Sequence, residues 1–220
     1  MDEPRPDIRL VIADLSGGGS ERVCLRLANQ WVRDGLGVEV LIVRLRGAYL
    51  EQLDPRVRIY SADKSGVRYA FFRLIRRLNR APAVPTLVFG IDFAVGFGLF
   101  RKLGWLRACW CYREGSLPTQ NISQRFHWLY RVFVSEADGV IAQTDVAARE
   151  MKQLGVTSVR WAVIPNPVSR SETLVRFSDT PMPLGLHLLA VGRLSREKGF
   201  ERLIRVLTQQ QPNLPDRKST

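Results

Sequence analysis

Cysteine and histidine are scarce in this chain of 220 residues, with three of the first and two of the second. Cys24, Cys109 and Cys111 are too few, and odd in number, for a disulfide framework. In "ACWCY" the latter two would share one face of a strand. They read as small buried thiols rather than as a zinc site, which needs further ligands. His127 and His187 stand apart from any pattern that would make them special and read as structural. Long hydrophobic runs are missing too. No stretch reaches the roughly 18 apolar residues of a membrane span, and the charged opening "MDEPRPDIRL" lacks the apolar core of a secretory signal. The reducing cytosol is therefore the expected compartment, and "NIS" at Asn121 carries no weight as a glycosylation acceptor. No Asp-x-Asp triplet occurs, so no obvious carboxylate pair would hold a divalent cation on a diphosphate. Neither a metal nor a resident cofactor is expected.

Acidic charge is in short supply as well. Lys and Arg number 33 against 21 Asp and Glu, a net charge of +12. Such an excess points to an anionic partner: nucleic acid, a phosphate-rich ligand or an acidic membrane surface. The remaining composition, 45% hydrophobic and 25% charged, is that of a globular chain able to bury a core.

What is present is a repeated alternation. Strand-like apolar runs lie at Ile8–Leu15, Val38–Leu45, Val57–Ala62, Thr86–Ile91, Ala108–Tyr112, Gly139–Thr144 and Val159–Asn166. Helix-like segments separate most of them, about 20–34, 64–80, 92–103, 119–136 and 145–154. Apolar strands alternating with helices predict an α/β fold, a doubly wound parallel sheet covered on both faces. Residues 1–164 form this first domain. Residues 165–185, "PNPVSRSETLVRFSDTPMPLG", are rich in proline, lack periodicity and read as a linker. Residues 186–220 restart the alternation with one strand, "HLLAVGRL", and one helix, "SREKGFERLIRVL". That is too little to bury a core alone.

Two strand-to-helix junctions carry chemistry. In "LSGGGSERV" the three glycines Gly17, Gly18 and Gly19 precede a helix that Ser20 could cap and whose first turn Glu21 suits. Such a turn brings backbone N–H groups to the crevice at the strand ends, where a phosphate or sugar can approach. The spacing fits neither GxGxxG nor a Walker A loop, and a tight turn alone explains the glycines equally well. In "VGRLSREKGF" Arg193 and Lys198 sit on the junction between strand and helix. They read as a cationic clamp for a diphosphate, or as the charges of a solvated loop. A third segment, "RYAFFRLIRRLNR", sets Phe71, Leu74, Ile75 and Leu78 on one helical face and Arg73, Arg76, Arg77 and Arg80 on the other. Between Lys64 and Arg80 there are six basic residues and no acid. Basic amphipathic helices bind anionic bilayers, while packing of the apolar face on a sheet is the commoner use of such a pattern. Both hold at once if the apolar face turns inward and the arginines meet lipid headgroups.

Taken in order, "GGGSERVCLRLANQWVRDGLGVEVLIV", "ADGVIAQTDVAAREMKQLGV…VIPNPV" and "LLAVGRLSREKGFERLIRVL" resemble the family 4 glycosyltransferases over residues 8–207. The resemblance implies the GT-B architecture of two facing Rossmann-like domains, the second only begun here. It also implies retaining transfer of a sugar from a nucleotide-sugar. "TLVFGIDFAVGFGLF…YREGSLP" looks like the bacterial members that build lipid-linked oligosaccharides and surface polysaccharides. On that resemblance Gly17–Gly19 line the cleft floor, with Gly18 and Gly19 near the donor diphosphate, and Arg193 and Lys198 bind that diphosphate. Asn166 and Gly192 shape the cleft, and by a looser match Arg113 and Glu114 face the acceptor. The implied partners are a nucleotide-sugar, a lipid-linked or glycan acceptor and an anionic membrane surface, with the protein peripheral at the inner face of the plasma membrane. The chain departs from the family in two ways. It has no histidine within Ala108–Ser116, and it ends before the family's paired-glutamate motif. The chain alone is therefore expected to transfer sugar negligibly, and a complementing donor-domain chain is a possible partner. A non-catalytic or split acceptor-domain subunit is one alternative. A basic nucleic-acid-binding protein is another, but no recognised binding motif supports it, and no nucleic-acid partner is expected.

Overall fold

The computed structural model describes residues 5–62, 67–158, 160–168, 188–192 and 198–209. The chain divides into two compact units, Met1–Ser169 and Arg170–Thr220. The first unit holds seven strands: β1 (Ile8–Ile12), β2 (Val38–Ile42), β3 (Arg58–Ser61), β4 (Thr86–Phe89), β5 (Trp110–Glu114), β6 (Gly139–Ala142) and β7 (Trp161–Val163). They form one sheet in the order β3-β2-β1-β4-β5-β6-β7, and every pair is parallel. Its helices are α1 (Gly19–Arg33), α2 (Val67–Asn79), α3 (Ile91–Lys102), the short α4 (Pro118–Asn121), α5 (His127–Val134) and α6 (Asp145–Gln153). The fold is the doubly wound, Rossmann-like α/β architecture that the alternation predicts.

Strand side chains alternate between two cores, as a period of two requires. Leu10 and Ile12 of β1, with Val38, Val40 and Ile42 of β2, meet Val23, Cys24, Ala28 and Val32 of α1. Val11 and Leu41 point the other way, to the core built by α2, α3, α5 and α6. Among the described residues α1 alone supplies α-helical side chains to the first core, beneath β1, β2 and β4. Cys24 is accordingly buried, whereas Cys109 and Cys111 are only half-buried. Two of the three thiols are thus more open than their apolar context suggests. Burial still pushes both thiols above the ordinary range.

The expected helix over 119–136 is broken. Pro118 starts α4 at its first turn, Ile122 and Ser123 are extended, and the chain passes through a 3-10 turn at Gln124–Phe126 into α5. α3 packs against α5 with unusual closeness. A Cβ at Gly98 would lie 2.0 Å from the carbonyl oxygen of Phe133. In the second unit the described elements reduce to one helix, α7 (Phe200–Gln209). The strand expected in "HLLAVGRL" is not formed at 188–192, the part of it that is described. A strand exists only by pairing, and the described residues of that unit offer it no partner.

The charge buried deepest is on β2. Glu39 is 1% exposed and accepts from Arg9 Nε at 2.9 Å and from Arg77 Nε at 2.9 Å. Arg9 also donates to the carbonyls of Leu78 and Ala81, at the carboxyl end of α2. One carboxylate thus fastens β1, β2 and α2. Removing it would take the carboxylate partner from two guanidinium groups, one of them buried, and breaking such a pair costs about 3–5 kcal/mol. Glu39→Ala is therefore expected to lower the stability of the protein by about that amount, read as a shift in its urea unfolding midpoint.

Candidate functional site

Parallel strands place all their carboxyl ends along one edge, and the strand order reverses between β1 and β4. Loops leaving neighbouring strands part at such a point and open a crevice. Here the crevice has a volume of about 250 Å³ and is lined by Ser20, Gly90, Tyr112, Glu114, Gly115 and Ser116, with Ile91, Pro118 and Ile122 at its side.

From the β1–α1 junction Ser20 lines it, and Gly17, Gly18 and Gly19 are not among the lining residues; the three glycines do different work. Gly17 has φ +113°, a left-handed conformation that other residues avoid. Gly18 precedes α1 with extended backbone and no side-chain cap. A Cβ there would lie 2.4 Å from the carboxylate of Glu21, whereas one at Gly19 meets nothing. The anion resting at the positive end of α1 is thus the chain's own Glu21. Ser20 does not cap the helix. It lies in the first turn, with its hydroxyl against Gly115 across the crevice.

A second loop holds the glycine loop from behind. Leu15 N donates to Arg46 O at 3.0 Å, and Tyr49 N donates to Leu15 O at 3.1 Å. Gly47, at φ +124°, lets this loop close in, since a Cβ there would lie 2.0 Å from the Leu15 carbonyl. Asp14, 6% exposed, accepts from Arg46 Nε at 3.1 Å and from Ser16 N at 3.2 Å. Burial raises the carboxyl's pKa, but the bonds from Ser16 and Arg46 outweigh it and hold the group below its ordinary range.

Glu114 closes β5 and is buried at the crevice wall. One oxygen accepts from the Tyr112 and Tyr130 hydroxyls, each at 2.9 Å. The other accepts from Ser116 N at 3.1 Å and Ser116 Oγ at 3.0 Å. Burial first, and then the charge of Glu114, raise both phenols, so they remain donors. Four bonds fill the acceptor capacity of a carboxylate. Glu114 therefore fixes the loop 115–118 and holds α5 to β5, with no lone pair left to offer an incoming hydroxyl.

Arg113 is also buried, with its guanidinium over the Phe89 ring at 5.8 Å. Desolvation lowers its pKa. It donates to the side chain of Asn166, whose amide donates to Gln143 at 3.0 Å. Ile164 N donates to Ala142 O at 2.8 Å, and Arg26 of α1 donates to the Pro167 carbonyl. The start of the expected linker thus belongs to the first unit. It crosses the carboxyl edge from β6 back to α1, with Asn166 exposed midway.

Other expected residues fall elsewhere. In the second unit Gly192 lies against Lys198, whose Cγ would be 3.4 Å from an added Cβ. Arg193 and His187 lie outside the described residues. His127 Nε2 sits 3.1 Å from the Ile122 carbonyl, a helix-start contact. The four arginines divide. Arg76 and Arg80 are exposed and Arg73 is half-buried, but Arg77 turns inward to Glu39 and over the Tyr60 ring. Arg77 is an internal tie and does not belong to a lipid-facing surface.

The sequence model of Glycosyltransferase Family 4 matches residues 17–172. No curated protein sequence matches the chain. Solved structures share its fold at low identity. HepE from Anabaena, in complex with UDP and glucose, is 16% identical with a TM-score of 0.58, over 76% of this chain and 48% of that one. The lipopolysaccharide outer core galactosyltransferase WaaB, in its apo form, is 11% identical with a TM-score of 0.53, over 74% and 46%. The UDP-GlcNAc 2-epimerase of Methanocaldococcus jannaschii is 11% identical with a TM-score of 0.52, over 72% and 45%. The chain spans about half the length of these structures. A transferase and an epimerase on one fold show that the fold alone does not choose the reaction.

The ties behind the glycine loop respond to acid. A carboxyl whose folded pKa is depressed contributes stability above its unfolded value of about 4, and that contribution is lost as the pH falls through the lower folded value. Asp14→Asn is expected to cost about 1 kcal/mol at pH 7, because Arg44 and Arg46 are largely solvated. The gap between variant and wild type should close below about pH 4, as measured by urea unfolding across pH.

Proposed function

Because the chain belongs to Glycosyltransferase Family 4, we propose that it supplies the acceptor-side wall of a retaining enzyme. That enzyme moves a sugar from a nucleotide-sugar to a membrane-associated glycan or lipid-linked acceptor, in cell-surface polysaccharide biosynthesis. The observation that carries this reading is the crevice at the reversal of strand order, in a chain whose residues 17–172 match the family. HepE is seen with UDP and with UDP-glucose, which favours a UDP-sugar as donor. WaaB acts on the lipopolysaccharide outer core, which favours a saccharide carried on lipid as acceptor.

The chemistry follows from the groups available. Arg193 and Lys198 would neutralise the charge that develops on the departing diphosphate, without a resident cofactor. The crevice would position the acceptor hydroxyl. Retention through a covalent intermediate needs a free carboxylate. Among the described residues Glu114 is the one carboxylate lining the crevice, and its oxygens are occupied. Attack by the acceptor on the face the diphosphate leaves fits this wall better. The bond from the anomeric carbon to the diphosphate breaks, the bond to the acceptor oxygen forms, and the hydroxyl proton passes to the leaving diphosphate.

Attachment to an anionic membrane surface rests on α2. Among the described residues no helix is long and apolar enough to cross a membrane. Arg76 and Arg80 are exposed, and beside them Tyr69 and Phe72 are exposed aromatics. Phe72 packs edge-on to Phe100 and beside the exposed Trp105. Cations beside interfacial aromatics are what a surface-bound helix presents to headgroups.

The transfer reading is tested by joining this chain to a complete family-type donor half and measuring transfer of radiolabelled sugar to a polyprenyl-linked acceptor. Turnover is expected with a UDP-sugar, and Lys198→Ala should reduce it about a hundredfold, as loss of one charge-stabilising group does. No turnover across UDP- and GDP-sugars would leave the reading without support. The membrane reading is tested by replacing Arg73, Arg76 and Arg80 with glutamine while leaving Arg77 in place. Each near-surface cation contributes about 1 kcal/mol, so binding to phosphatidylglycerol vesicles should fall by roughly a hundredfold. Unchanged cosedimentation of the folded variant would make these arginines merely solvated.

A further inference from the structure

Ile91 and Ile122 separate the crevice from an apolar cavity of about 340 Å³, walled further by Phe71, Val95 and Leu129. Orientation of a ligand comes from a few placed polar groups, and two such groups converge at Gly115, which lines the crevice itself. A Cβ added there would lie 3.2 Å from Ser20 Oγ and 3.4 Å from Nε2 of Gln143, which stands just past β6. The backbone at Gly115 is not left-handed, so no turn requires a glycine. Its missing side chain leaves a small space between a hydroxyl and an amide. Among the described residues neither Ser20 Oγ nor Gln143 Nε2 has a hydrogen-bond partner.

The direction of that amide is fixed from a distance. Arg113 is a donor only, so the Asn166 atom that meets it is Oδ1. Asn166 then presents its N–H2 group to Gln143, which can answer only with Oε1, at 3.0 Å. What is left of Gln143 is Nε2, a donor, and it faces Gly115. Turning the amide round would set one N–H2 group against another. The head of this relay is a guanidinium only 4% exposed, which meets the Phe89 ring and Asn166 rather than a carboxylate.

We propose that Gln143 is a specificity-determining residue: its Nε2, aimed by Arg113 through Asn166, donates to a saccharide oxygen seated over Gly115, and Ser20 Oγ makes the second bond. The inference rests on the sugar-transfer reading and names how the crevice selects its ligand. The pair of groups suits a sugar hydroxyl, which accepts from Gln143 and donates to Ser20, and equally a sugar carboxylate, which accepts from both. A site that presents a fixed donor discriminates against a ligand without the matching oxygen, because the donor would be left unpaired. Arg113 and Asn166 touch no ligand in this arrangement. They are positioning residues that set the polarity of a group they reach only through hydrogen bonds.

Nuclear magnetic resonance of the isotope-labelled 220-residue chain tests this in two steps. Nuclear Overhauser contacts should run from the Gln143 side-chain amide protons to the Gly115 α protons, and their absence would overturn the aim of the amide. Titration with methyl glucoside and with methyl glucuronide should then shift the Gln143 amide signals. A response to the glucoside identifies a hydroxyl as the oxygen held, and a response to the glucuronide alone identifies a carboxylate. A response to neither, or to inorganic phosphate in place of both, would overturn the proposal. Gln143→Glu keeps an acceptor for Asn166 but sets a second acceptor over Gly115, so saccharide affinity should fall about tenfold or more. Asn166→Asp should turn Gln143 round, with Nε2 donating to the new carboxylate, so that the contact with Gly115 and the saccharide response disappear together. A merely structural role for Asn166 would not reverse that amide. Gly115→Ala fills the space with its own Cβ and should abolish the response while Gln143 keeps its bond to Asn166. Saccharide shifts that survive both Gln143→Glu and Gly115→Ala would overturn the proposal. Sugar transfer stands or falls separately, because it is read by turnover and its dependence on Lys198.

Discussion

Seven strands running the same way constrain everything else in this molecule. Parallel pairing needs a crossover between neighbours, and the crossovers cover the sheet with helices. It also collects every strand's exit at one edge. The chain therefore has a stabilising edge and a working edge, and its buried charges are divided between them. At the amino edge Glu39 joins Arg9 and Arg77 beneath the end of α2. At the carboxyl edge Asp14, Arg113 and Glu114 are held in loops and strand ends around an open crevice.

The two buried glutamates show how similar chemistry serves different ends. Glu39 is met by two cations and locks elements whose positions never need to change. Glu114 is met only by neutral donors, two phenols and a serine. Its contacts fix a short loop and a helix that are themselves walls of the site. Positioning groups of this kind make a cavity rigid without presenting charge to the ligand, as a preorganised site requires. The glycine loop is treated alike. Gly17 takes its left-handed turn, and Gly47, Arg46 and Asp14 hold the residues leading into it.

All seven strands of the first unit were legible as apolar runs, because a sheet covered on both faces demands them. For β5 the apolar run ends at Tyr112, while pairing extends two residues further, through Arg113 and Glu114. Buried charges at a strand's end break the pattern, and such breaks mark sites. Glu39 inside "VEVLIV" carried a similar signal, a lone acid in a buried strand, but its partners stand 30 and 38 positions away and only the fold reveals them. Tyr130 lies in an apolar helix, where no local pattern marks its hydroxyl as a partner of Glu114. The Asp14–Arg46 tie and the closeness of Gly47 depend on two loops meeting, which no local pattern encodes. The apolar cavity was equally invisible, since three separate segments, around 71, 91–95 and 122–130, build it.

The contact at Gly98 has a consequence for how this protein tolerates change over time. With the Phe133 carbonyl 2.0 Å from where a side chain would begin, position 98 acts as a spacer of zero thickness between α3 and α5. Any replacement drives α5 outward, and Tyr130 rides on α5. The phenol that helps to hold Glu114 would then be drawn off its carboxylate, and Leu129 would leave the cavity wall. A residue that touches neither the crevice nor a ligand is thereby bound to the same evolutionary fate as those that do. Drift at position 98 is closed unless a compensating change on α5 arrives with it.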